Sequence, residues 1–274
     1  HKLLKLDSSM IVNFTKMHGL GNDFVVIDLI TQGARLQKTH IKRIADRKFG
    51  VGCDQVILIT APTRANVDFF YKIFNADGEE VEQCGNGARC AAKFFNDYGL
   101  SDKLELVADC LGGTVNLKLE DYQQVSVGLG KNYTPVITKP LTMPDLPAEI
   151  HAVSVGNPHA VLIVKELAKT PVGEWGRKLT NDAMFPQGAN IGFMQIINRQ
   201  RINLRVYERG AGLTHACGSG ACAAMLVGKS LGLLDHQVTV SFEHGDLLIS
   251  LNASDQSLNM TGPATSVYIG KFKI

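Results

Sequence analysis

The sequence predicts an α/β fold of the α+β type, built by internal duplication as two similar domains with mixed, mostly antiparallel sheets. Three observations predict it. The pentapeptide Cys-Gly-polar-Gly-Ala occurs twice, as Cys84-Gly85-Asn86-Gly87-Ala88 and Cys217-Gly218-Ser219-Gly220-Ala221, about half of the 274-residue chain apart. Both copies follow an alternating apolar run and open a small-residue stretch that a glycine ends, so one order of elements recurs. Several short strand-like runs accompany each helix, which fits hairpin-rich sheets better than a doubly wound parallel one.

The first half begins with a strand from Ile11 to Met17, a Gly-rich turn at His18–Asp23 and a second strand from Phe24 to Ile30. Ile41, Ile44, Ala45 and Phe49 recur at helical spacing, and Gly50 punctuates the run. Val56–Thr60 is a short apolar strand. Val67, Phe69, Tyr71 and Ile73 alternate until Asn75-Ala76-Asp77-Gly78 breaks the pattern. A helix then runs from the first cysteine turn to about Tyr98, where Gly99 closes it. Leu104–Ala108, Thr114–Leu119 and Gln124–Val127 supply further strands.

Pro135, Pro140, Pro144 and Pro147 fall in a stretch without periodicity, the best candidate for a linker or crossover. Strands follow at Ile150–Val155 and Ala160–Val164, flanking Gly156-Asn157-Pro158-His159, with a helix near Val172–Thr180. Asn190 leads into Gly192–Ile197, and Arg201–Tyr207 alternates cleanly up to Glu208-Arg209-Gly210. The second cysteine turn and its helix come next, ended by Gly232. The expected division is 10–130 and 131–263, with a final strand at about 264–274 completing the first domain. Residues 1–9 read as an added segment ahead of a natural start at Met10.

Composition narrows the function. With 28 basic and 26 acidic residues, the formal charge is +2, which gives no reason to expect a nucleic-acid or membrane partner. No apolar run approaches the ~20 residues of a membrane span. Six scattered cysteines (53, 84, 90, 110, 217 and 222) do not make a disulfide scaffold, so the expected setting is a reducing cytoplasm. No metal site is expected. The Cys217…Cys222 spacing falls in the loose zinc range, but only His215 stands nearby to complete a ligand set.

The paired turns carry the chemistry. A cysteine at a helix N-terminus meets unpaired backbone N–H groups and the positive end of the helix dipole, which favour a thiolate. The same N–H groups bind a carboxylate or phosphate. A single copy is read as easily as a glycine turn with a small buried filler. Packing alone does not demand the same five residues twice. Gly85 and Gly218 allow a ligand or backbone to come close, Gly87 and Gly220 suit tight helix entry, and Asn86 and Ser219 add side-chain hydrogen bonds. Cys90 and Cys222 point away from the turns and read as core packing. Polar residues at the ends of strand-like runs complete the candidate site: Asn22, Gln55, Asn75, Asn157, His159, Asn190, Glu208 and Arg209.

The stretches Met17–Phe24, Phe74–Gly78, Gln83–Arg89, Gly156–His159, Val206–Gly212 and Ala216–Ala221 together resemble the diaminopimelate epimerase family, from about Met10 to the C-terminus. More distantly the chain is similar to the proline racemases. The resemblance implies a sheet wrapped around a central helix in each domain and an active site in the cleft between them. It implies an isomerase of lysine and peptidoglycan precursor synthesis, without cofactor or metal, converting L,L-2,6-diaminoheptanedioate to the meso form, and a homodimer. By matching motifs, Cys84 and Cys217 are the acid/base pair, with His159 and Glu208 assisting. Asn22, Gln55, Asn75, Asn157, Asn190, Glu208 and Arg209 would hold the substrate, and Gly85-Asn86 and Gly218-Ser219 its α-carboxylate. Leu213 departs from the family pattern, standing where a glutamate is expected. Another amino-acid racemase, a thiol redox protein and a carboxylate-binding module remain as competing readings.

Overall fold

In β1 (Ile11–Gly19), Val12 and Phe14 are buried while Ile11 and Asn13 are exposed, a period-2 pattern that is lost from Thr15 on, where Thr15 and Met17 are buried as well and the register shifts between Lys16 and Met17. The computed structural model describes residues 10–82 and 84–274; the segment 1–9, expected to be an added one, lies outside them, as does Gln83. After β1 come β2 (Asn22–Asp28), α1 (Leu29–Gln32), α2 (Lys38–Ala45), β3 (Gln55–Thr60), β4 (Phe69–Asn75), β5 (Glu80–Val81), α3 (Gly85–Asp97), β6 (Glu105–Cys110) and β7 (Gly113–Leu119). The chain continues through β8 (Gln124–Gly130), β9 (Ile137–Pro140), β10 (Glu149–Ser154), β11 (Pro158–Ile163), α4 (Val172–Leu179), β12 (Asn190–Asn198), β13 (Arg201–Glu208) and β14 (Gly212–Thr214). It ends with α5 (Gly218–Ser230), β15 (Gln237–Phe242), β16 (Gly245–Leu251), β17 (Leu258–Pro263) and β18 (Thr265–Lys273).

Two units result, one of residues up to Gln123 together with Ala264–Ile274, the other Gln124–Pro263. The break falls earlier than the expected one after residue 130, because β8 pairs with β17 and so belongs to the second unit. The proline stretch is likewise no free linker, since β9 forms an antiparallel ladder with β10. Pro140 sits at the end of that ladder, where a missing N–H is tolerated.

In the first unit the strands run β18-β1-β2-β3-β4-β6-β7, with β2–β3 and β4–β6 parallel and the other neighbours antiparallel. In the second they run β9-β10-β11-β12-β13-β15-β16, with β11–β12 and β13–β15 parallel. Both orders read antiparallel, antiparallel, parallel, antiparallel, parallel, antiparallel. This shared pattern is the structural form of the duplication; β17 and β8 extend the second sheet. The short strands β5 and β14 hairpin off β4 and β13, just ahead of the two cysteine turns.

Each sheet encloses its own cysteine-turn helix. α3 packs on β1, β2, β3 and β7, and α5 packs on β10, β11, β12, β13, β15, β16 and β17. Small residues make the close approach possible: Ala88, Ala91 and Ala92 in α3 and Ala221, Ala223 and Ala224 in α5 are fully buried. Cys90 and Cys222 are buried among them.

Two elements differ from the sequence reading. The strand expected to reach Ile30 stops at Asp28, whose carboxylate accepts from the amides of Ile30 (2.7 Å) and Thr31 (3.2 Å) and starts α1. The helix expected to include Phe49 ends at Ala45. Asp46 takes the amides of Lys48 (2.7 Å) and Phe49 (2.8 Å), and this turn leaves Phe49 exposed.

Candidate active site

In the first unit Cys84 is the N-cap of α3, and its Sγ accepts from Gly87 N at 3.4 Å. The thiol donates to Asn22 Oδ1 at 3.8 Å, and Asn86 Nδ2 donates to the same oxygen at 3.2 Å. Asn22 is steadied from its other end, because its Nδ2 donates to Asp54 Oδ2 at 3.1 Å. Arg47 then bridges Asp54 and Asp23. Burial alone would raise the Asp23 carboxyl, but Arg47 and Lys16 hold it well below the usual carboxylate range. Gln55 and Asn75 face each other across the β3–β4 ladder, joined by Gln55 Nε2 to Asn75 Oδ1 at 2.9 Å. Gln55 Oε1 is buried without a hydrogen-bond partner among the described residues.

The second unit repeats the design with different side chains. Cys217 is the N-cap of α5, with Gly220 N at 3.4 Å and Ser219 Oγ at 3.5 Å from its Sγ. Ser219 Oγ lies 3.0 Å from His159 Nε2, which is also 3.2 Å from Asn157 Oδ1 and 3.4 Å from Asn190 Nδ2. Asn190 Oδ1 accepts the amide of Arg209 at 2.8 Å. The Arg209 guanidinium is anchored on the Gln187 carbonyl. Glu208 Oε1 accepts from Thr214 Oγ1 at 2.5 Å, and the same carboxylate reaches the Cys217 thiol.

Matching the two ladders shows which positions correspond. Gln55 starts β3 opposite Asn75 at the end of β4; Asn190 starts β12, whose ladder brings it to Glu208 at the end of β13. The duplicated set is thus Gln55 with Asn190, Asn75 with Glu208, and Cys84 with Cys217. Phe24 on β2 opposes Gln55, and His159 on β11 opposes Asn190, so a histidine stands where the first unit has phenylalanine. Every expected site residue of the first unit gathers around Cys84 or the β3–β4 ends, and every one of the second around Cys217 or the β12–β13 ends.

One expectation is overturned. The helix terminus was expected to lower the thiol, yet burial pushes Cys217 up and the Glu208 carboxylate pushes it further. The Ser219 hydroxyl and the Gly220 amide pull the other way and are outweighed. Burial also holds His159 down at about 4, so this imidazole is neutral at pH 7.

Sequence reasoning missed Thr214, Asp54 and Arg89. They hold Glu208, Asn22 and (through Arg89 Nη2 to Asn86 Oδ1, 2.8 Å) Asn86. Asp54 and Arg89 did lie inside or beside the quoted motifs, but nothing in a linear sequence says which side chain a hydroxyl or guanidinium will reach. Leu213 is exposed on β14, and its place beside the glutamate-holding Thr214 takes no hydrogen bond to Glu208 away.

Two cysteine-capped helices, each wrapped by the sheet of its own duplicate, define the duplicated α/β fold of amino-acid epimerases and their structural relatives. Solved structures share it across almost the whole chain. A phenazine biosynthesis protein of the PhzF family from Bacillus anthracis matches with a TM-score of 0.71 at 17% identity, covering 97% of this chain and 100% of that one. A hydroxyproline epimerase from Agrobacterium vitis matches with a TM-score of 0.67 at 13% identity, covering 96% and 93%. Sequence is more specific than fold. The family model for diaminopimelate epimerase matches residues 14–134 and 151–267. The diaminopimelate epimerase of Nitrosospira multiformis is 46% identical over 276 residues, 97% of this chain and 99% of that protein. That of Azotobacter vinelandii is 45% identical over 280 residues, 97% and 100% of the two chains. The chain belongs to the diaminopimelate epimerase family and is an isomerase.

Proposed function

We propose that this chain converts L,L-2,6-diaminoheptanedioate to its meso form by inverting one α-carbon, with Cys84 and Cys217 as the acid/base pair. The observation that carries the proposal is the twofold cysteine N-cap, with an amide 3.4 Å from sulfur in each unit. Inversion takes a proton from one face of a carbon and delivers another to the opposite face, so it needs two groups. Reversibility asks that they be alike, one a thiolate and one a thiol. Burial and Glu208 favour the protonated form of Cys217, which therefore starts as the acid. Cys84 then takes the substrate proton, and the roles exchange in the reverse direction.

The remaining residues fall into two groups. The amides at Gly85-Asn86 and Gly218-Ser219 receive the α-carboxylate and stabilise the charge that builds there as the α-proton leaves. Asn22, Gln55, Asn75, Asn157, Asn190, Glu208 and Arg209 hold the amino-acid groups. The buried Gln55 Oε1 supports this, since an ammonium would supply the donor it lacks among the described residues. His159 and Glu208 assist by holding Ser219 and the proton of Cys217 in place. No cofactor or metal takes part in these steps. The chain works as a cytoplasmic homodimer on a free amino acid, without nucleic acid or membrane. No helix among the described residues is long and apolar enough to cross a membrane.

Incubation with L,L-diaminopimelate in deuterated water tests the proposal. Solvent deuterium should appear at the α-carbon of the meso product with no added electron acceptor. Product without label, or turnover only with an acceptor, would rule out proton exchange by a thiol pair.

A further inference from the structure

The hairpin joining β15 to β16 has a two-residue turn, Glu243-His244, because Phe242 pairs with Gly245. β13 pairs with β15 on one edge and with β14 at its end, and this brings His215, just after β14, to the same spot. The ligand atoms of His215, Glu243 and His244 all lie within 4.8 Å of one another, and the two imidazole centroids are 4.6 Å apart at 59°. All three side chains are exposed, and none takes part in the reaction proposed above. From the sequence only His215 stood near the cysteine turn; the sheet supplies the other two.

We propose that His215, Glu243 and His244 form a binding site for a divalent transition ion of the zinc class. Ligands at ~2.0–2.2 Å in tetrahedral geometry lie about 3.4 Å from each other, so small rotations of exposed side chains close the set. Two imidazoles and one carboxylate select zinc, cobalt, nickel or copper over magnesium and calcium, which prefer all-oxygen shells. Exposure leaves the fourth position to water. His215 is followed by Ala216 and Cys217, so a bound ion ties the segment that carries the thiol to the β15–β16 turn. Binding therefore restrains residues 214–217 as well as the hairpin. The site stands independently of the epimerase reading.

The test is titration of the purified protein with cobalt(II) followed by visible absorption, and with zinc followed by calorimetry. Wild type, His244→Ala, Glu243→Gln and Cys217→Ala are compared, with circular dichroism to verify folding. One ion per chain is expected, with affinity reduced by roughly tenfold or more in His244→Ala and in Glu243→Gln and retained in Cys217→Ala. Zinc should slow amide exchange over 214–217 and 242–245 in wild type and not in His244→Ala. Unchanged affinity in the folded His244→Ala and Glu243→Gln variants, loss of binding in Cys217→Ala with a thiolate-to-cobalt charge-transfer band in wild type, or no saturable binding at all would each overturn the site.

Discussion

His159 Nε2 lies 3.0 Å from Ser219 Oγ, and Ser219 Oγ lies 3.5 Å from Cys217 Sγ. A neutral imidazole thus orients the Ser219 hydroxyl, which favours the Cys217 thiolate, while burial and Glu208 oppose it. The balance of these effects decides how readily this sulfur gives and regains its proton. In the first unit Asn86 occupies the place of Ser219 and is held by Arg89 and Asn22. The two copies of one turn therefore present different second partners to their thiols.

Ser219→Ala should slow alkylation of Cys217 at neutral pH. A hydrogen bond to a charged group is worth about 1.5–3 kcal/mol, so the alkylation rate at neutral pH should fall by roughly tenfold or more. Iodoacetamide labelling with peptide mass analysis reads this directly. An unchanged rate would mean that the hydroxyl does not reach the thiolate.

Cys84→Ala and Cys217→Ala should each reduce epimerisation by at least roughly a hundredfold, since general acid–base catalysis contributes about 10²–10⁴ in rate. Either variant can still exchange the α-proton at its intact thiol without inverting the centre. Turnover near wild type in either variant contradicts the pairing.

Acid should destabilise the protein through His159. Its folded pKa is lowered by burial from 6.5 to about 4, so the folded chain resists protonation that the unfolded chain accepts. The corresponding stability is fully present above pH 6.5 and is lost as pH falls towards about 4. The loss is on the order of 3 kcal/mol. Urea midpoints at about pH 7 and about pH 5 should converge in His159→Asn and separate in wild type. Equal pH dependence in the two proteins would remove His159 from the account.

Gly220→Ala should destabilise by about 1–3 kcal/mol, the cost of overpacking. A Cβ there would lie 2.8 Å from Val206 Cγ2 and 3.3 Å from Cys217 Sγ. Gly87→Ala meets the Ile73 Cδ1 atom at the same 2.8 Å. Denaturant unfolding of both variants checks the clash, and unaltered midpoints would show that the helices can shift outward.

Much of the candidate site was legible before folding. Two Cys-Gly-polar-Gly-Ala turns mark helix N-termini by local chemistry alone, because the glycines and the capping sulfur act within five residues. Alternation located β4 and β13, since a half-buried strand writes its period into the sequence. The domain break was misplaced, because β8 is held by β17, a pairing across more than a hundred residues that no local pattern encodes. The direction of the Cys217 shift was missed for the same reason. The helix terminus is local, whereas the burial and the Glu208 carboxylate come from packing.

The amino-acid sequence alone determined the duplication, the two capped thiols and the family, because each rests on residues adjacent along the chain. Tertiary structure alone decided which polar side chains stand beside each thiol, which protonation state burial imposes, and that His215 meets Glu243 and His244. Those depend on ladder registers between distant strands, and the register of a sheet is set by the packing of the whole unit.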